Sequence, residues 1–162
     1  MNQDLLQIIT GALGTLGFAL FFHVAPRHLP LATVGGGLSW LFYLACFHQG
    51  RGVFVSALAA AFGVCLWAEI LARVRKAPAT VFLIPGIIPL LPGGSLYYTM
   101  SALITGDLGV AAVRGKETGL MVLGIVAGIL IASEIVRLFF WAEVRRKKLL
   151  AHSGRGARHG GN

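Results

Sequence analysis

The chain has 162 residues, of which 56% are hydrophobic and only 12% charged, with a mean hydropathy of +0.78. A soluble domain carries about a quarter charged residues, so a soluble enzyme or a nucleic-acid-binding domain is excluded. The net charge of +8 does not reverse this, because most of it is gathered at one end of the chain.

The apolar residues fall into five runs, 5–23, 30–48, 53–72, 79–105 and 118–141. About 20 apolar residues cross a bilayer as a helix. The expected fold is therefore all-α, a polytopic membrane helix bundle of about five spans, with the lipid bilayer as its surroundings. The Met1-Asn-Gln-Asp4 start lacks the basic stretch of a signal peptide, so the first run is expected to stay as a membrane helix. Gly11, Gly14 and Gly17 line part of it, in a spacing that fails the dinucleotide fingerprint. Gly35, Gly36 and Gly37 interrupt the second run, and Ser56, Ala57, Ala60 and Ala61 give the third a small-residue face. Cys46 and Cys65 lie within apolar runs, without C-x-x-C spacing, and read as small buried hydrophobes. His23, His28 and His48 fall at run ends without metal-ligand spacing and read as headgroup-level polar residues. Glu69 precedes Arg73 by four residues, the spacing of an interfacial pair.

The fourth run is the informative one. Six of the ten residues from Pro85 to Gly94 are Pro or Gly. Each Pro removes a backbone donor and costs about 3 kcal/mol in a helix interior. With Pro85, Pro89 and Pro92 so close together, the backbone must open. In a membrane an opening is tolerated only where it is buried in protein or lines a wet cavity. A new helix is expected to follow, with Gly94 or Ser95 as its N-cap. The free amides of its first turn, at the positive end of its dipole, form an anion site, much as discontinuous transporter helices hold substrate carboxylates. The candidate substrate-binding residues are Pro85, Gly86, Pro89, Pro92, Gly93, Gly94, Ser95, Tyr98 and Thr99. A structural kink, with its hydroxyls bonded to neighbouring helices, explains the same pattern, and sequence alone leaves both readings open.

Asp107 follows Gly106 where the fourth run ends and reads as a helix stop or an outer gate. The stretch from Gly109 to Gly115-Lys116 has the wrong spacing for a P-loop, and no nucleophile elbow or metalloprotease motif is present. In the last run, Gly124, Gly128 and Ala132 form a small-xxx-small stripe. Glu134 lies eleven residues before Arg145, about 16 Å deep at 1.5 Å per residue, which places it near the bilayer centre. A charge at that depth is costly and points to function, so Glu134 and Asp107 are the candidate coupling residues. A pair with Arg137, three residues on, is the plainer reading of Glu134. Its direction, roughly 120° from the small-residue stripe at about 100° per residue, gives the helix two faces that lipid does not satisfy. That is a reason to expect packing against more than this chain alone.

With five crossings and the C-terminus inside, Arg27, Arg73, Arg75, Lys76 and the six basic residues from Arg145 onward lie inside, while Arg51, Arg114 and Lys116 lie outside. A re-entrant fourth run removes most of this bias, so five crossings are favoured, with the N-terminus outside. The chain divides into a membrane domain, 1–144, and a basic cytoplasmic tail, 145–162, expected to be partly disordered from His152 onward.

The run from Pro78 through Pro85-Gly-Ile-Ile-Pro-Leu-Leu-Pro-Gly-Gly-Ser95 to Tyr98 resembles the signature of the bacterial threonine/serine exporter family. Gly17-Phe-Ala-Leu-Phe-Phe22 with Pro26, the Glu69–Arg73 stretch before Pro78, Gly106-Asp107 and the Gly- and Ala-rich last helix are similar as well. The likeness fits the shorter, two-chain form. It implies a small membrane subunit of a secondary exporter in the bacterial plasma membrane, working with a larger membrane subunit. The implied cargo is threonine or serine, and a related two-chain system is associated with succinate export. The resemblance implies no cofactor, metal or nucleic acid, and it allows a higher oligomer. The alternative is a membrane subunit that does not transport and stabilises a partner complex.

Overall fold

A computed structural model describes the backbone of residues 2–159 and the side chains of residues 3–140. It contains α1 (Asn2–Phe21), α2 (Leu29–His48), α3 (Val53–Arg75), α4 (Thr80–Ile87), a 3₁₀ turn (Ile88–Leu90), α5 (Gly93–Ile104) and α6 (Leu108–His159). Four unbroken helices are long and apolar enough to cross a membrane, and the pair Thr80–Leu90 and Gly93–Ile104, bent by 47°, supplies a fifth candidate crossing. The basic tail expected over 145–162 falls beyond the described side chains.

The bundle is organised around α3, which packs on α2, α4 and α6. Its alanine-rich face makes this possible: Ala57, Ala60, Ala61 and Ala68 are fully buried. The partner of the Gly124–Gly128–Ala132 stripe is α3 itself. A Cβ added at Gly124 would lie 2.5 Å from the Phe54 carbonyl oxygen, and one at Gly128 would lie 2.5 Å from that of Leu58. The close helix packing expected of the stripe is therefore met within the chain. This register makes α3 and α6 parallel, and Arg73 stacking over the Phe140 ring at 4.9 Å continues it to the far end.

Two apolar clusters mark the two ends. One gathers Ala57, Ala60, Leu90, Met121 and Ile125; the other gathers Ala19, Ala32, Ala68, Leu71 and Phe82. The α1–α2 and α2–α3 pairs are pinned by indole donors, Trp40 Nε1 to Gln7 Oε1 at 3.2 Å and Trp67 Nε1 to the Leu31 carbonyl at 3.1 Å.

Two expectations are corrected here. The last helix begins at Leu108, ten residues before the apolar run, because Asp107 caps it: the Val110 amide donates to Asp107 Oδ1 at 3.0 Å. Arg114, expected outside and before the last span, lies within this helix and pairs with Glu117 at 3.2 Å on its surface. Since Gly124 meets Phe54 near the start of α3, the residues of α6 before it run about 20 Å past the end of α3. α5 packs along this projection.

Candidate functional site

The opening of the fourth span is narrower than the proline pattern suggested. Pro85 sits inside α4 and is buried with Gly86, where a Cβ on Gly86 would come 2.7 Å from Val64. Pro89 continues into the 3₁₀ turn and lies over Gly11. The chain leaves helical geometry only at Leu91 (φ −63°, ψ 128°) and Pro92 (φ −78°, ψ 50°). Pro92, rather than Gly94 or Ser95, is the N-cap of α5, because its carbonyl accepts from the Leu96 amide at 2.9 Å. Leu90 packs against Ala57, Ala60 and Ala61 in the first turns of α3. The break therefore lies toward the α3 N-terminal end of the bundle and not halfway along it.

The Gly93 amide is satisfied by the Leu91 carbonyl at 2.8 Å, but among the described residues no acceptor takes the amides of Gly94 or Ser95. Both glycines are exposed, and a Cβ added at either would meet no atom within 4 Å. These amides stand at the positive end of α5 and face away from the chain. The side chains around them are poorly covered too: Leu91 is 55% and Tyr97 68% exposed. Thr99 is turned inward, its hydroxyl donating to the Ser95 carbonyl at 2.7 Å.

The family model for the threonine/serine exporter, ThrE, matches residues 7–135. The chain belongs to the threonine/serine exporter family. No curated protein and no solved structure matches it. It is a multi-pass membrane protein.

The remaining candidates of this exporter-family chain are dispersed. Tyr98 and Asp107 share a groove of about 270 Å³ with Ser101, Thr105 and Arg114. Asp107 is held there by its capping bond. Pro89 lines a small hollow of about 230 Å³ with Gln7, Thr10 and Trp40. Glu134 is remote from all of these. It lies 3.4 Å from Arg137 and lines a groove of about 540 Å³ with Glu69 and Arg73, which pair at 3.0 Å. The Gly124 and Gly128 contacts, extended along the seam, set Glu134 near the level of Leu66–Trp67, eight or nine residues from the end of α3, or about 13 Å. Among the histidines, His48 is exposed and 3.8 Å from Asp4, as a surface residue should be. His28 is not at headgroup level in any open sense: it is 4% exposed.

Proposed function

We propose that this chain is the small subunit of a secondary exporter for small carboxylate-bearing solutes, threonine and serine foremost and succinate as a further candidate. A larger membrane subunit completes it. The observation that carries this reading is the pair of unclaimed amides at Gly94 and Ser95, set between two apolar half-helices in a chain of exporter family. A helix start with free donors attracts a carboxylate, and broken helices serve secondary transporters in this way. Because the chain leaves that start uncovered, the other wall of the site belongs to the partner. The cationic residues favour a bacterial plasma membrane placement with the α1–α2 and α3–α4 turns inside: Arg27, Arg73, Arg75 and Lys76 gather there, against Arg51, Arg114 and Lys116 at the opposite end. The N-terminus is then outside and the C-terminus cytoplasmic. Glu134, beside Arg137, is the coupling candidate for a proton-driven cycle.

The test is uptake of labelled threonine, serine and succinate into proteoliposomes holding the partner alone, this chain alone, or both. Transport requiring both chains, and reduced by Gly93→Leu or Pro89→Ala, supports the reading. Full transport by the partner alone leaves this chain an assembly subunit and refutes it.

A further inference from the structure

Where α1 turns into α2 and α3 into α4, the chain forms a cavity of about 460 Å³, within the usual size range of small-molecule pockets. Phe22, Val24, Val81, Ile84 and Pro85 wall it with apolar surface. Its polar contributors are His23, Arg27, His28, Lys76 and Thr80, and among the described residues no carboxylate lines it.

His28 gives the cavity its chemistry. Arg27 Nε donates to His28 Nε2 at 3.1 Å, so that nitrogen is an acceptor and the ring proton resides on Nδ1. Nδ1 is buried and has no hydrogen-bond partner among the described residues. A buried donor without an acceptor is costly and calls for an explanation. Burial, then the charges of Arg27 and Arg75, hold the ring below its ordinary pKa, so it stays a neutral donor at neutral pH. Phe82 packs edge-on against it at 5.3 Å and closes the far side.

The turns are unusual as well. His23 (φ 56°) and Lys76 (φ 51°) are the only non-glycine residues with positive φ among those described, and both line this cavity. Helix ends of this kind default to glycine. The start of α4 adds little of its own, because the Val81 and Phe82 amides already donate to Pro78 and Ala79. The site is made by side chains.

We propose that this cavity binds the carboxylate of the exported solute at the inner side, before the solute reaches the break. Arg27 and Lys76 supply the positive charge, His28 Nδ1–H supplies the directional hydrogen bond once the ring turns from its sealed position toward the cavity, and the Phe22–Ile84–Pro85 wall receives the solute's short apolar part. The idea rests on the exporter reading for the identity of the anion, and on this chain alone for the site. Pro85 connects the two regions, since it lines the cavity and belongs to the same half-span that ends at the break.

The decisive experiment follows the His28 ring nitrogens by ¹⁵N NMR in the full chain, assigned with His28→Gln. The chain is held in phosphatidylcholine nanodiscs and titrated with threonine, succinate or inorganic phosphate; a parallel sample contains phosphatidylglycerol. The expected result is a saturable shift with threonine or succinate in the zwitterionic lipid, weakened about tenfold or more by Arg27→Gln and by Lys76→Asn. Both of those positions are exposed, so circular dichroism should show the fold intact. A shift produced only by phosphate or only by phosphatidylglycerol makes this a phosphate or headgroup site and overturns the proposal, as does binding unchanged in both variants. The two readings fail separately. Transport by the reconstituted pair with an unaltered KM in Arg27→Gln sinks the inner site and spares the exporter. Carboxylate binding to this chain without transport by the pair does the reverse.

Discussion

At one end of the bundle the turns after α1 and α3 fold over a cavity using residues of this chain alone, whereas at the other the break at Leu91–Pro92 is left bare. The difference shows in how each end treats its backbone. The bare end turns through glycines, Gly50 (φ 73°) and Gly106 (φ 79°), neither of which has an atom within 4 Å of an added Cβ. The walled end holds His23 and Lys76 in the same left-handed region and brings both side chains to a cavity. One end is thus walled by this chain's own residues, and the other is left uncovered by them.

Withholding the partner is the harshest way to break this contrast. Transport should vanish, while carboxylate binding followed through His28 persists; loss of both would erase the distinction between the ends. Next in size is the seam that joins them. Gly128→Leu drives a side chain into the Leu58 carbonyl and should cost on the order of 3 kcal/mol, read as a lower melting temperature in detergent. Gly94→Leu, placed in open space, should leave that temperature unchanged while cutting transport by the pair about tenfold, a loss near 1.4 kcal/mol. The smallest effect sharpens the view of the walled end. Lys76→Gly relieves a left-handed residue and should stabilise the chain by about 1 kcal/mol while weakening carboxylate binding. Acidification adds a further check. The folded state holds His28 below its ordinary pKa of about 6.5, so the unfolded chain binds that proton first. Stability should therefore decline as pH falls below about 6.5, and His28→Gln should flatten the decline.

The five apolar runs were legible because lipid demands continuous hydropathy, and the broken fourth span was legible because Pro and Gly disobey helix geometry wherever they occur. Finer placement was not, for identifiable reasons. Pro85 remains inside a helix because α4 runs only two residues past it before tightening into the 3₁₀ turn. The start of α6 was hidden because Arg114, Lys116 and Glu117 resemble a loop by hydropathy alone, yet the Asp107 cap and the Arg114–Glu117 pair support a helix. The cavity at the α1–α2 and α3–α4 turns escaped notice altogether, since it joins His28 to Ile84 and Pro85, more than fifty residues later. A hint was available: a helix stop beside Pro78 with Lys76, and another before Pro26 with His23, neither offering a glycine.

The α3–α6 seam has one more implication. Gly124 and Gly128 fit against successive turns of α3 like teeth on a rack, and such a pair resists sliding because any shift short of a full tooth forces atoms together. Shape change during a transport cycle must then be borne elsewhere. The two-residue joint between the halves of the fourth span, already bent by 47°, is the place where the molecule can flex without disengaging its frame.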